Sequence, residues 1–294
     1  MKPAPFEYVA PTSLEEAMET LARHGDAARV LAGGQSLVPM LNMRLVRPSV
    51  LVSLRRIPAL DHVAIEDGCT RIGSMTRQRV VEQDAGVRNA CPVLGEALEL
   101  VGHPAIRNQG TVGGSVAHAD PAAELPAVLV ALDGTVTLVS TRGRRTVPAS
   151  AFFQGLMATA VEPDELIAEV AFPRVGRPGL VAGCAVVEAS RRHGDFALAG
   201  AVVVLAADAD GRIADARIAL FGVEARPTRR PEAEAALQGT RCQPEAVAEA
   251  VALAARALDP LEDLHASAAL RAHLARVLAR RSIERAYRRL AGDE

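Results

Sequence analysis

The sequence predicts an α+β fold in which two N-terminal α/β subdomains precede a C-terminal domain of three antiparallel strands and helices. Short apolar runs alternate with helical patterns over the first 176 residues, whereas three strand-like runs and then only helical patterns follow. The length of 294 residues also exceeds that of most single compact cores. We therefore predict three units, at residues 1–55, 56–176 and 177–294.

The first unit is predicted to contain one helix and two strands around a glycine turn. Its predicted elements are a helix over 13–24 capped by Thr12 or Ser13 and ended by Gly25, a strand over 28–31 and a buried strand over 49–54. The turn, Ala32-Gly33-Gly34-Gln35-Ser36, follows the first strand directly, and a second apolar stretch runs from Leu37 to Leu45.

The second unit is predicted to mix short strands and helices. Its predicted elements are strands over 62–66, 70–73 and 165–172, helices over 76–83, 92–101 and 121–132, and a hairpin over 134–147 that turns at Arg142-Gly143. An irregular segment over 103–110 precedes a second glycine turn, Thr111-Val112-Gly113-Gly114-Ser115.

The third unit begins near Arg177-Pro178-Gly179, where proline and glycine mark a boundary. Its predicted elements are strands over 180–189, 196–206 and 213–223 and helices over 232–238, 244–258 and 267–290. The last helix carries many arginines, several of which share one stripe, with leucine, valine and isoleucine opposite. We predict a solvated or subunit-contacting helix, because no aromatic residue is interleaved to stack on bases.

Composition and charge restrict the class of protein and its partners. Hydrophobic residues make up 49% of the chain and charged residues 23%, a globular balance. With 33 basic and 35 acidic residues, the chain has no net field that favours nucleic acid or an anionic membrane. No apolar run reaches the ~20 residues of a membrane span, and the N-terminal residues lack a secretory pattern. We expect a cytoplasmic protein without a transmembrane segment.

The cysteines and histidines give no metal-binding pattern. Cys69, Cys91, Cys184 and Cys242 are widely separated and form no Cys-x-x-Cys pair. We therefore expect no metal on this chain. His118 and Asp120 could form an acid–base pair on one side of a strand, but we favour a hydrogen-bonding role for both.

The two glycine pairs are the strongest functional feature. A backbone that approaches a phosphate closely needs residues without Cβ that can adopt positive φ. Gln35, Ser36, Thr111 and Ser115 can donate further hydrogen bonds beside the pairs. One pair alone is more often a simple turn, but two would suit a dinucleotide whose pyrophosphate lies between them. Neither a Rossmann nor a P-loop fingerprint is present.

Four segments carry a resemblance to a known family over the whole length of the chain. They are 32–40 (AGGQSLVPM), 102–124 with the run RNQGTVGGSVAHADPAAE, 191–198 (RRHGDFAL) and 263–268 (DLHASA). These segments resemble the FAD-binding medium subunit of carbon monoxide dehydrogenase-like molybdenum hydroxylases, within the xanthine dehydrogenase family. The resemblance implies that the first two units form a PCMH-type FAD-binding domain.

The resemblance also implies which residues contact FAD, with none acting as a catalytic side chain. They are Leu31, Ala32, Gly33, Gly34, Gln35, Ser36, Thr111, Val112, Gly113, Gly114, Ser115, Glu124 and Leu166. Of these, both glycine segments would hold the pyrophosphate, Glu124 would contact the cofactor and Leu166 would pack against it. Phe196 would lie near the isoalloxazine, although a place in a strand core fits that residue equally well.

The implied function is that of an electron-transfer subunit. Molybdopterin would be bound by a large partner subunit and [2Fe-2S] clusters by a small one, in a dimer of heterotrimers, and this chain would pass electrons from the clusters to an external acceptor. The substrate would bind on another polypeptide. Two other functions stay open: a stand-alone flavin oxidoreductase, and a non-catalytic interaction module that retains the fold.

Overall fold

The computed structural model describes residues 2–176 and 179–292. Helices and strands alternate around three main sheets, as predicted for an α+β fold. Within the described ranges, no helix combines the length and the apolar character that crossing a membrane requires.

The first sheet is parallel, with the strand order β1-β3-β2. Its elements are β1 (Glu7–Val9), α1 (Leu14–His24), β2 (Ala28–Leu31), α2 (Leu37–Asn42) and β3 (Val50–Ser53). The Ser13 Oγ accepts a hydrogen bond from the Glu16 amide at 3.1 Å, and this contact fixes the start of α1 as predicted. Gly25, with φ of 49°, ends that helix.

The second sheet has the strand order β4-β5-β10-β6-β7 and is antiparallel throughout. Its region contains β4 (Val63–Glu66), β5 (Cys69–Gly73), α3 (Gln78–Gln83), α4 (Ala85–Ala90), α5 (Pro92–Leu100), α6 (Pro104–Arg107), α7 (Val112–His118), α8 (Glu124–Ala131), β6 (Thr135–Ser140), β7 (Gly143–Pro148), α9 (Ala149–Phe152), β8 (Phe153–Gly155), β9 (Ala158–Thr159) and β10 (Leu166–Pro173).

The short elements α4, α9, β8 and β9 were not predicted, and three further details of this region differ from the prediction. The segment over 103–110 contains the short helix α6, which begins at a proline. The second glycine segment is the first turn of α7 instead of a loop turn. The helix predicted from Pro121 starts at Glu124, because residues 121 to 123 form a turn after Asp120, whose Oδ1 accepts from the Ala122 amide at 2.9 Å.

The third sheet has the order β11-β12-β13-β14 and is antiparallel. Its elements are β11 (Val181–Ala189), β12 (Ala199–Ala207), β13 (Ile213–Phe221), β14 (Thr228–Arg229), α10 (Pro231–Leu237), α11 (Pro244–Ala254) and α12 (Ala268–Ala291). The two-residue β14 adds a fourth strand to the predicted three. Such a short edge strand has no periodicity that sequence reasoning could detect.

The central strand β12 is buried on both faces. Val202 and Val204 point into the core of the second region, whereas Val203 and Leu205 point into the core beneath α12. The core of the first region likewise includes Val139 and Leu166, which lie on the second sheet. Apolar packing is therefore continuous across the predicted limits at 55 and 176, and those limits stay a prediction. Arg177 and Pro178 lie outside the described residues.

The arginines of α12 have different environments, and two of them, Arg285 and Arg289, are half-buried and form ion pairs with Glu96 of α5. Arg276, Arg280 and Arg281 are exposed, as the predicted stripe requires. Arg271 is buried: its guanidinium donates to Leu198 O at 2.5 Å and to Gly222 O at 2.6 Å. A buried arginine needs acceptors from elsewhere in the fold, so the helical spacing alone could not separate it from its exposed neighbours.

Candidate functional site

The two glycine segments pack directly against each other. A Cβ built on Gly33 would lie 2.4 Å from Gln109 O and 2.8 Å from the Cα of Gly110. A Cβ built on Gly114 would lie 3.4 Å from the Cβ of Ala32. The backbone of the first segment therefore lies so close to the residues before α7 that there is no space for a side chain at position 33.

The first segment presents unused backbone donors. Gly34 adopts φ of 76°, and the Gln35 Nε2 donates to Gly33 O at 3.1 Å. In the described part of the chain, the amides of Gly33, Gly34, Gln35 and Ser36 have no hydrogen-bond acceptor. Partly buried backbone amides require an acceptor, and successive amides in a turn form a concavity suited to an anion.

Four amides of the second segment, those of Val112, Gly113, Gly114 and Ser115, are in contrast already bonded to protein. Gly113 N donates to Ser74 O at 3.0 Å and Val112 N to Thr76 O at 3.1 Å. Thr111 caps α7, and its Oγ1 accepts from Gly114 N at 3.0 Å. Gly113 adopts no positive φ; it is glycine because a Cβ there would lie 2.4 Å from the Cβ of Ser74.

What the second segment offers a ligand is mainly the side chain of Ser115. Its hydroxyl is half-buried and has no partner among the residues described. Val112 and Gly113 are buried against the protein. Four unused amides on one segment and a hydroxyl on the other together match the several acceptor oxygens of a pyrophosphate. The residues present thus fit the phosphate part of FAD.

Glu124 lies at the first position of α8 and is 7% exposed. Burial, with smaller contributions from the carboxylates of Glu188 and Asp120, raises the pKa of Glu124 to about 8. No basic side chain is bonded to Glu124 anywhere in residues 2–176 and 179–292. Its carboxyl group can therefore be protonated near neutral pH, when it both donates and accepts hydrogen bonds.

Leu166 and Phe196, the two apolar residues predicted near FAD, have opposite environments. Leu166 begins β10, is 2% exposed and belongs to the same buried cluster as Leu60 and Val139. Phe196 is 66% exposed and lies in the loop between β11 and β12. The alternative that places Phe196 in a strand core is therefore wrong, because β12 starts only at Ala199.

The loop that carries Phe196 lies close to the region of the second glycine segment. A Cβ built on Gly194, whose φ is 85°, would lie 2.6 Å from the His103 ring and 3.1 Å from Gly102 O. His103 immediately precedes α6, which leads to Gln109. The exposed Phe196 thus lies on a loop of the C-terminal domain that packs against His103. His103 begins the segment that leads to the contact between Gln109 and Gly33.

His118 and Asp120 do not lie on a strand, so the alternative of an acid–base pair on one side of a strand, which we did not favour, is wrong. His118 ends α7, and Ala119 follows in the left-handed conformation with φ of 52°. The three residues instead form a helix end and a turn, because Asp120 directs its Oδ1 to the Ala122 amide.

Three residues of the site were not predicted. Gln109 supplies the carbonyl that faces Gly33, and Arg77 donates to that same carbonyl. The carboxylate of Glu188, on β11, contributes to the raised pKa of Glu124. Gln109 lies within the segment that carries the family resemblance and could have been found there, whereas no local pattern marks Arg77 or Glu188.

Comparison with known proteins identifies the family. Residues 4–175 match the FAD binding domain in molybdopterin dehydrogenase, and residues 185–286 match the CO dehydrogenase flavoprotein C-terminal domain. The chain is 40% identical to subunit alpha of the 6-hydroxypseudooxynicotine dehydrogenase complex of Paenarthrobacter nicotinovorans, over 98% of this chain and 97% of that subunit. It is 35% identical to the carbon monoxide dehydrogenase medium chain of Hydrogenophaga pseudoflava, over 99% and 100% of the two chains.

Solved structures agree with these sequence matches. A structure of the carbon monoxide dehydrogenase of Hydrogenophaga pseudoflava superimposes with a TM-score of 0.94 at 37% identity, covering 98% of this chain and 99% of that chain. Quinoline 2-oxidoreductase from Pseudomonas putida 86 gives a TM-score of 0.92 at 38% identity, with 99% of each chain covered. The chain therefore belongs to the family of FAD-binding medium subunits of carbon monoxide dehydrogenase-like molybdenum hydroxylases, and it is an FAD-containing oxidoreductase subunit.

Proposed function

We propose that this chain holds the pyrophosphate of FAD between its two glycine segments and transfers electrons within a larger molybdenum hydroxylase. The observation that carries the proposal is the row of unused amides from Gly33 to Ser36. The segment that carries them lies against the backbone just before α7, at a contact that only a glycine at position 33 permits. The amides would hold phosphate oxygens, and the hydroxyl of Ser115 would add a donor from the opposite side.

The remaining contacts of the proposed site surround the rest of the cofactor. Glu124 would contact it with a carboxyl group, Leu166 would close the pocket from its apolar side, and Phe196 would lie near the isoalloxazine. Leu31, Ala32 and Thr111 complete the two segments. These side chains bind and orient FAD and exclude water; none acts as a catalytic acid or base.

In this role the chain accepts electrons from [2Fe-2S] clusters on a small partner subunit and passes them to an external acceptor. FAD, when bound, supplies the ability to take up single electrons and release a pair. Substrate oxidation would take place at a molybdopterin centre on a large partner subunit, within a dimer of heterotrimers. The four cysteines are free thiols, which fits a complex that works in the reducing cytoplasm.

The names of the relatives support a complex of several subunits. One is the alpha subunit of a dehydrogenase complex and another is a medium chain, and a third is the medium subunit of a nicotine 6-hydroxylase. These names also refer to different substrates, so the proposal assigns none to this chain. The substrate pocket would lie on the large partner.

Isolation of the native assembly tests the proposal. The chain should co-purify with a large and a small subunit, and the assembly should contain FAD, molybdenum and iron. Flavin absorbance should bleach when a reducing substrate is added and return with an electron acceptor. A fully active single-chain protein would instead establish the stand-alone flavin oxidoreductase, and gently isolated protein without flavin bands would establish the non-catalytic module.

A further inference from the structure

The two glycine segments offer a phosphate ligand neutral groups only. Besides backbone amides, their polar groups are the side-chain amide of Gln35 and the hydroxyls of Ser36, Thr111 and Ser115. The diphosphate of a dinucleotide carries a negative charge on each phosphate group. Partial burial of such an anion is costly unless a cation or charge-assisted hydrogen bonds compensate it. A positive side chain should therefore complete the site.

Arg77 lies where the two glycine segments meet. Its backbone pairs with Thr111, the first residue of the second segment, in an antiparallel bridge. Beside this bridge, Val112 N donates to Thr76 O at 3.1 Å. These backbone contacts fix Arg77 against the start of α7.

The side chain of Arg77 is linked to the first glycine segment through a single oxygen atom. Its Nη1 donates a hydrogen bond to Gln109 O, and the same oxygen lies 2.4 Å from a Cβ built on Gly33. The amide nitrogen of Gly33 in turn lies 4.0 Å from a Cβ built on Gly114. The guanidinium, the first unused amide and the start of α7 are therefore neighbours.

The positive charge of Arg77 is not compensated by an ion pair. The side chain is half-buried, and no carboxylate within residues 2–176 and 179–292 forms a salt bridge with it. Burial, and then the charge of Arg55, lower the pKa of the guanidinium, with a smaller opposite effect from Asp61. Arginine nevertheless stays charged at neutral pH. The junction of the glycine segments thus contains a cation without an anionic partner.

We propose that Arg77 binds the diphosphate of FAD and supplies the positive charge that the glycine segments lack. This inference rests on the proposed function. A guanidinium has several N–H donors in a fixed fork that matches phosphate oxygens. The hydrogen bond to Gln109 O uses one nitrogen of the fork and holds the group beside the Gly33 amide, so its other N–H groups are available to the ligand.

The alternative role for Arg77 is to hold Gln109 O in place without contacting FAD. A neutral side-chain amide can also donate a hydrogen bond to a carbonyl oxygen. The charge of Arg77, and not its hydrogen bond to the protein, therefore distinguishes the two roles. Arg77→Gln removes the charge and keeps an N–H donor.

The test is FAD binding by the native assembly after its flavin has been removed, measured by quenching of flavin fluorescence at several salt concentrations. Arg77→Gln should bind FAD about 10- to 100-fold more weakly, as expected for the loss of a hydrogen bond between charged groups. Its FAD affinity should also depend less on salt, because a contact between a cation and a phosphate group is gone. A weaker affinity with the salt dependence of the unaltered assembly would overturn the inference.

Arg226 provides the matched control. Its Nη1 also donates to a backbone carbonyl, Phe153 O at 2.7 Å, and no carboxylate in the described ranges forms a salt bridge with it. It lies between β13 and β14, outside both glycine segments. Arg226→Gln should leave FAD affinity and its salt dependence unchanged. An equal loss in both variants would reflect net charge alone and would overturn the inference.

Two partial ligands locate the effect on the cofactor. ADP contains a diphosphate without a flavin, and riboflavin contains the flavin without phosphate. Arg77→Gln should weaken ADP binding, measured by competition with FAD, by a similar factor to that found for FAD, and it should leave riboflavin binding unchanged. Equal weakening of riboflavin binding would show a structural role and overturn the inference.

A second variant keeps the test decisive if Arg77→Gln does not assemble. Lysine retains the charge but not the fork of donors, so Arg77→Lys should weaken FAD binding by less than about tenfold and keep its salt dependence. Loss of the salt dependence in Arg77→Lys, or unaltered FAD affinity in assembled Arg77→Gln, would overturn the inference and leave the proposed function intact. A native assembly without flavin would instead overturn the proposed function.

Discussion

At the scale of single residues, the two glycine segments have different tasks. Gly33 is a glycine because Gln109 O occupies the space of a side chain, and Gly34 because its φ is 76°. A larger residue at position 33 would separate the two segments even without a ligand. Substitutions at Gly33 therefore test the packing of the protein. Substitutions of residues whose polar groups have no partner in the protein test the binding of the ligand.

Ser115 is the residue of the second segment that tests ligand binding most cleanly. Its hydroxyl bonds no described protein group, so Ser115→Ala should leave the unfolding temperature of the FAD-free chain unchanged. FAD affinity should fall by about 10- to 100-fold, as expected for a hydrogen bond to a charged group. Equilibrium titration with FAD measures this, with Ser150→Ala at an exposed position of α9 as the control. Equal affinity of Ser115→Ala and the unaltered chain would remove Ser115 from the site.

Local chemistry explains which of these residues the sequence could predict. Glycine pairs beside serine and threonine are visible in the chain itself, and so is the resemblance that points to Glu124. The contact of Gly33 with Gln109, and the electrostatic effect of Glu188 on Glu124, join residues far apart in the chain. Such contacts follow from tertiary packing, which no local pattern encodes.

At the scale of elements, the helix α6 connects the core to the site. Arg107 is buried and donates from Nε to Glu82 Oε2 at 2.8 Å and from Nη1 to Val101 O at 2.9 Å. It also donates to Gly102 O at 3.1 Å. Arg107 therefore links α3 and the loop against which Gly194 packs. The segment over 103–110 was predicted to be irregular because a four-residue helix is too short to show periodicity.

The buried pair of Arg107 and Glu82 should dominate the stability of this element. Although burial opposes the charge on Glu82, hydrogen bonds from Arg107 and Arg79 lower its pKa below the ordinary value. Glu82→Gln leaves the Arg107 charge without its partner and should reduce the free energy of unfolding by about 3–5 kcal/mol. Urea denaturation measures the loss, and Glu99→Gln at an exposed position of α5 should be neutral.

The same pair gives a pH dependence with a defined sign. Because the folded-state pKa of Glu82 is lowered, its contribution is present above the ordinary carboxyl pKa and is lost as the pH falls through the folded value. Acid should therefore destabilise the unaltered chain more than Glu82→Gln. Identical acid sensitivity of the two proteins would show that the pair contributes nothing to folding.

At the scale of the whole molecule, shared cores hold the three sheets together. Leu166 of the second sheet packs in the first core, and Val186 of the third sheet packs in the second. The α+β class and the order of the units could be predicted because the long elements are either periodic or continuous apolar runs, separated by turn residues. The extent of this sharing could not, because an apolar pattern shows that a face is buried without showing against what.

The whole-molecule consequence is that both glycine segments, Glu124 and the loop with Phe196 are supported by different sheets. FAD would therefore contact segments that are held by different sheets. The amides from Gly33 to Ser36 have no acceptor in the described part of the chain, so their protection from exchange measures FAD binding directly.

Amide hydrogen exchange of Gly33, Gly34, Gln35 and Ser36, compared between FAD-free and FAD-loaded protein, tests the central claim most directly. The amide of Gly113, already bonded to Ser74 O at 3.0 Å, is the internal control. We expect the four amides to exchange rapidly without FAD and to become protected when FAD is bound, with little change at Gly113. Unchanged exchange of all four amides in FAD-loaded protein would contradict the placement of the pyrophosphate at this segment.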